Sequence, residues 1–200
     1  MDRTQTYFAT LGSMASKVVA SQTAGTQLAL DAALGALVDR VRQVHDAGGK
    51  IMFVGNGGSA GIASHMTTDY AKNGGFRAVC FNDGAQLTCL ANDLGYENVF
   101  AYPVALHARP GDMLIAISSS GRSASILNAV AAARKAGCYV VGLSGFQPDN
   151  PLRALGDVNL YVPDDSYGFV EITHLALCHA ILDYAMGWTG KANKDEANGA

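Results

Sequence analysis

Charge is scarce in this chain: Asp, Glu, Lys and Arg make up 16% of its 200 residues, and the formal net charge is -3. No basic run is longer than the pair Arg134-Lys135, which leaves no electrostatic footprint for nucleic acid or another polyanion. A small molecule is the expected partner. Long hydrophobic runs are also missing. None approaches the roughly 18 to 20 apolar residues that a membrane-spanning helix needs. Ser13, Ser16 and Lys17 interrupt the stretch from Tyr7 to Ala20 where an apolar signal region would lie. Neither membrane insertion nor secretion is expected, and the cytoplasm is the expected location. The four cysteines (Cys80, Cys89, Cys138 and Cys178) form no C-x-x-C pair and sit in apolar segments. Buried free thiols are therefore expected rather than disulfides or zinc fingers.

What is abundant is apolar surface and glycine: 49% hydrophobic residues and 23 glycines. That composition belongs to a globular domain with many tight turns or backbone-binding loops. The length suits one domain. Residues 4–45 read as two helices, with Leu28, Leu30, Ala33, Leu34, Leu37, Val38 and Val41 at helical spacing after a break at Ala24-Gly25-Thr26. From Lys50 a different grammar begins. Short apolar runs at 50–54, 76–81, 112–117, 138–143 and 158–162 read as strands. After the first strand a loop at 55–59 and a helix running to about Lys72 are expected, with further helices at 85–93, 125–136 and 169–188. Strands alternating with helices imply a parallel, doubly wound α/β sheet. The polar stretch 191–200 lacks periodicity and is expected to be a flexible tail.

Two strand-to-helix junctions carry unusual loops. Gly55-Asn56-Gly57-Gly58-Ser59 follows the first core strand, at the position where free backbone N–H groups and the helix dipole favour an anion. Taken alone, it serves equally well as a tight turn. Ser118-Ser119-Ser120-Gly121-Arg122-Ser123 offers four hydroxyls at a second such junction, with Ser123 also a candidate N-cap. In a parallel sheet both loops lie at the carboxyl ends of strands, where ligands of open α/β folds bind. Arg122, a single loop arginine, is expected to face solvent.

Titratable groups cluster on two helices. His65 and Asp69 are one turn apart on one face. Glu171, His174 and His179 interrupt an otherwise apolar final helix and must find partners if buried. From two helices these groups could hold zinc or another divalent metal, or serve as hydrogen-bonded core groups. His45 and His107 fall at helix ends and receive no role.

The order and spacing of Gly55-Asn-Gly-Gly-Ser59, His65, Asn92-Asp93 within Ala91–Gly95, Ser118-Ser-Ser-Gly121 with Ser123, and His179 resemble the phosphoheptose isomerases of the sugar isomerase (SIS) family. The resemblance implies a three-layer, flavodoxin-like fold with a five-stranded parallel sheet. It implies a single SIS domain over residues 1–190, with N-terminal helices at 1–46 and the α/β core at 50–190. It also implies a homotetramer. The implied activity is the isomerisation of sedoheptulose 7-phosphate to D-glycero-D-manno-heptose 7-phosphate through an enediol. Ser59, Ser118, Ser119, Ser120 and Ser123 would hold the phosphate, while Asn56, Gly57, Gly58, Asn92 and Asp93 would meet the sugar. Asp69 and His179 would exchange protons, and His65, Asp69, Glu171 and His179 would bind one zinc or another divalent metal. Asp69 stands where the family has Glu, and Glu171 where it has Gln. Glu171 could ligate the metal or share the acid–base work beside the substrate. The rival expectation is a non-catalytic relative: a sugar-phosphate sensor, or a protein like the SIS member that associates with the bacterial replication initiator.

Overall fold

The computed structural model describes residues 2–189, so the expected tail at 191–200 lies outside the described residues. Five parallel strands form the core: β3 (Ile51–Gly55), β4 (Ala78–Cys80), β5 (Met113–Ser118), β6 (Tyr139–Ser144) and β7 (Val158–Tyr161). Their near-continuous apolar sequences suit strands covered on both faces, and every residue of β3, β5 and β7 is buried. Alternation along each strand supplies two cores. Phe53, Ile115 and Leu143 face one side with α2 (Leu30–Asp46), α3 (Gly58–Lys72) and α7 (Tyr167–Ala185). Met52, Leu114 and Val140 face the other, against α5 (Ala101–His107) and α6 (Ala124–Lys135), with α4 (Gly84–Leu94) packed at its edge.

The N-terminal segment departs from the two expected helices. α1 (Arg3–Ser13) forms, but the chain then turns into β1 (Val19–Gln22) and β2 (Gln27–Leu28) before α2. β1 lies antiparallel on the edge of β7, from Val19 opposite Tyr161 to Gln22 opposite Val158. The edge of β7 supplies the partner that makes this segment a strand, β-branched Val19 suits it, and the break at Ala24-Gly25-Thr26 becomes a hairpin turn with Gly25 at φ 81°. This caps the open edge and makes the sheet seven strands, in the order β2-β1-β7-β6-β5-β3-β4. The helix α5 and the 3-10 turn at Tyr96–Asn98 are further elements that periodicity did not indicate.

β3 pairs with β4 on one side and with β5 on the other. The chain therefore reverses its direction of travel across the sheet between β3 and β5, and this is the switch point at which α/β folds open a crevice. α3 leaves β3 on one face and α6 leaves β5 on the opposite face.

α7 is anchored to the sheet by a buried imidazole. His174 Nε2 lies 3.1 Å from the Ser144 carbonyl oxygen and donates to it in the neutral tautomer, with Nδ1 buried and unpartnered. Burial pushes His174 down from 6.5 to about 4. Above pH 6.5 neither the folded nor the unfolded chain protonates it. Below 6.5 the unfolded chain takes up a proton that the fold refuses, so stability falls as pH drops to 4, by about 3 kcal/mol. Denaturant titrations between pH 7 and 4 should show this slope. His174→Gln should flatten it, and an equal slope in the variant would place the titrating group elsewhere.

Candidate functional site

A cleft of about 250 Å³ opens at the switch point between β3 and β5, lined by Asn56, Gly57, Gly58, Ser59, Ile117, Ser118, Ser119, Ser120, Ser123, Tyr167 and Glu171. The two loops singled out in the sequence form its floor. β3 and β5 run in register up to Gly55 opposite Ile117, so the chain leaves both strands at the same level. Close approach of the turn to the helix demands glycine: a Cβ on Gly55 would collide with the Ser59 backbone. Gly57 holds φ 55° and precedes α3 with no side-chain cap. The first N–H groups of α3, at Gly58 and Ser59, have no intrahelical acceptor and belong to residues that line the cleft, an arrangement that attracts an anion.

The serine loop is equally constrained. Gly121 adopts φ 60°, and a Cβ there would overlap the Asn150 side chain. Asn150, 2% exposed, donates to the carbonyls of Gly145 and Gln147 and to Ser144 Oγ, and accepts from Arg153 N. The Ser119 carbonyl accepts from Gly145 N at 2.9 Å, and that of Gly121 from Leu152 N at 3.1 Å. Ser118 and Ser123 hydroxyls lie 3.4 Å apart, and Ser120 Oγ accepts from Arg122 N. Ser119 Oγ is buried with no partner. Ser123 takes the N-cap position of α6 by backbone alone, without a side-chain capping bond, which leaves its hydroxyl to the cleft. Arg122 turns away to Asp149, at 2.7 Å. Among the described residues no Lys or Arg lines the cleft, so hydroxyls and backbone N–H groups are its donors.

Two turns along α3 from the cleft floor, His65 and Asp69 meet His179 of α7. His65 Nε2 is 3.3 Å from Asp69 Oδ2, and the rings of His65 and His179 are 5.4 Å apart. One ligand atom from each of the three lies within 4.8 Å of the others. Donors around a tetrahedral zinc sit about 3.4 Å apart, so modest rotamer adjustment suits this His-Asp-His set to a divalent cation. The two helices are tied at this level by the Tyr70 hydroxyl, which donates to the Cys178 carbonyl at 3.1 Å. Each partner is the chain neighbour of a cluster residue. Tyr70 is fully buried, and burial pushes its phenol well above the usual range.

Glu171 stands apart from this trio. Its carboxylate packs against Gly58, where a Cβ would collide with it, and it lines the cleft rather than the histidine cluster. Eight residues separate it from His179, about 12 Å of helical rise. Asn92 and Asp93 lie on the exposed surface of α4, hydrogen-bonded to each other at 2.8 Å and outside the lining of the cleft. Tyr167, at the start of α7, is a wall residue that the sequence did not single out; its position after Asp164-Asp165-Ser166 carries no motif. Of the four cysteines, Cys138 and Cys178 are buried as expected, Cys80 is partly buried, and Cys89 is exposed. All four are free.

The fold and cleft have counterparts among known proteins. The model of the SIS domain matches residues 6–145, which include both loops together with His65 and Asp69. The phosphoheptose isomerase of Thiobacillus denitrificans is 37% identical over 182 residues, covering 84% of this chain and 92% of the relative. That of Streptomyces coelicolor is 40% identical over 149 residues, covering 72% of this chain and 64% of the relative. A solved phosphoheptose isomerase from Neisseria gonorrhoeae superposes with a TM-score of 0.78 at 30% identity, over 92% of this chain and 97% of that one. The chain belongs to the SIS domain family, and within it to the enzymes of the phosphoheptose isomerase type.

Gly121→Ala tests the loop geometry. A left-handed alanine and a displaced Asn150 together should cost at least about 2 kcal/mol. Denaturant unfolding would measure this, and a loss below about 0.5 kcal/mol would mean that the loop adapts freely.

Proposed function

We propose that the chain is an aldose–ketose isomerase of a phosphorylated sugar, acting on sedoheptulose 7-phosphate to form D-glycero-D-manno-heptose 7-phosphate. The observation that carries this reading is the pairing of a serine- and glycine-lined anion cleft with an acid–base cluster further along the same helix. From Gly58 to His65 the rise of α3 is about 10 Å, which an extended seven-carbon sugar with its phosphate can span and a triose phosphate cannot. Ser59, Ser118, Ser119, Ser120 and Ser123 would donate to the phosphate, supplemented by the N–H groups at the start of α3. The unpartnered Ser119 hydroxyl would gain its acceptor there.

Asp69 and His179 would move the protons. One removes a proton from C1 of the ketose while the C2 carbonyl oxygen gains one, giving the enediol. Return of a proton to C2 and loss of one from the C1 hydroxyl then give the aldose. Asp69 reaches one methylene less far than Glu, and the helix pairing through Tyr70 sets where its carboxylate can stand. His65 faces Asp69 Oδ2 and leaves the other oxygen for proton transfer. A zinc or other divalent ion held by His65, Asp69 and His179 would polarise the carbonyl and hydroxyl oxygens of the sugar. Glu171, against Gly58 at the cleft mouth, would approach sugar hydroxyls rather than join the three ligands. Asn92 and Asp93, on the exposed face of α4, would reach the sugar only if its outer end extends past the cleft rim.

A homotetramer belongs to the same proposal. α1 buries none of its residues, Tyr7 and Phe8 are exposed, as are Tyr167 and Ile172 of α7, and the Tyr7 ring packs 4.9 Å from that of Phe169. An isolated helix of this length is marginal in water, and contact with further copies would give that apolar face a cover. A cytoplasmic location fits four free thiols.

Purified protein of measured metal content, incubated with sedoheptulose 7-phosphate, should yield the aldose phosphate. Asp69→Asn and His179→Ala should each lower kcat by about 100-fold or more, and both should reduce bound zinc. Binding of the sugar phosphate without product at any divalent ion would instead favour the sensor reading.

A further inference from the structure

Asn56 is the last residue with a side chain before two consecutive glycines, and both ends of its carboxamide are engaged. Nδ2 donates to Ser125 Oγ at 2.9 Å, and Oδ1 accepts from the Tyr96 hydroxyl at 2.8 Å. Gly57 and Gly58 have no side chains to hold them, and the N-cap of α3 makes no side-chain bond. The backbone N–H groups that would meet an anion are therefore held in place by Asn56. Ser125 is a firm anchor, 2% exposed in the first turn of α6. Its bond to Asn56 joins the glycine loop to the helix that follows the serine loop.

Tyr96 is itself fixed. It follows Gly95, at φ 82°, and begins the 3-10 turn at Tyr96–Asn98. Asn128 of α6 donates to the Glu97 carbonyl at 3.0 Å, and Asn98 donates to that of Leu94 at 2.8 Å. The tyrosine, half-exposed, forms one wall of a groove with Asn56, Glu97, Ser123, Ala124 and Ser125. Asn56 and Ser123 are shared between this groove and the cleft.

We propose that Tyr96 is a positioning residue: through Asn56 it holds the glycine loop in the geometry that binds the substrate anion. The proposal rests on the reading of the cleft as a phosphate site. A half-exposed hydroxyl contributes little to global stability, whereas preorganised donors act directly on anion affinity. Tyr96→Phe keeps the ring and removes only the hydroxyl. Asn56→Ala removes the group through which it acts.

Calorimetric titration with inorganic phosphate, on the wild type, both single variants and the double variant, tests this. Each single variant should bind phosphate about tenfold more weakly, and the double variant no more weakly than Asn56→Ala alone. With sugar phosphate, KM should rise in Tyr96→Phe while kcat stays within about twofold, and melting temperatures should stay within about 3 °C. Wild-type affinity in Tyr96→Phe, or penalties that add in the double variant, would overturn the role of Tyr96. A wild type that fails to bind phosphate would overturn the anion cleft, and this proposal with it. If phosphate binds but no sugar is turned over, the isomerase reading fails while the phosphate cycle still decides Tyr96.

Discussion

The pairing of β3 with β5 is the constraint on which the rest depends. Two strands separated in sequence by α3, β4, α4 and α5 become neighbours in the sheet, and their helices depart on opposite faces. Two sets of unpaired N–H groups then face one crevice. Glycine at 55, 57 and 121 follows from that meeting, since each lies where backbone crowds backbone, φ is positive, or Asn150 leaves no room for a Cβ. The serines follow as well, because a cleft with few charges must supply its donors from hydroxyls and main chain.

The cluster of His65, Asp69 and His179 is displaced from the cleft by the length of two helical turns, and α7 is what completes it. His174 ties that helix to the end of β6, and the Tyr70 bond to Cys178 sets its height against α3. Both bonds are buried, so small sliding of α7 would leave polar groups unpaired. His179 therefore meets His65 and Asp69 at a defined level. Asp69 stands on a helix within this frame rather than on a loop.

Much of this was legible along the chain. The five core strands, the loops at 55–59 and 118–123, and the helical pairing of His65 with Asp69 all follow from local pattern: apolar runs between glycines, hydroxyls at a strand end, a spacing of four on a helix. The N-terminal hairpin was not legible, because β1 is a strand only by virtue of the β7 edge that it covers. Neither was Tyr96, whose partner lies 40 residues away. Cys89 read as buried from its apolar neighbours but occupies the outer face of α4.

The sequence by itself determined the alternation of strands and helices, the glycine- and serine-rich loops at two strand ends and the one-turn spacing of His65 and Asp69, since these depend on near neighbours and backbone chemistry. Tertiary structure decided which groups meet. It joined His65 and Asp69 to His179 and placed Glu171 against Gly58, because contacts between α3 and α7 depend on how both helices pack on one sheet face. It also left Asn92 and Asp93 on an outer surface. Helical spacing alone cannot state the direction in which a whole helix faces.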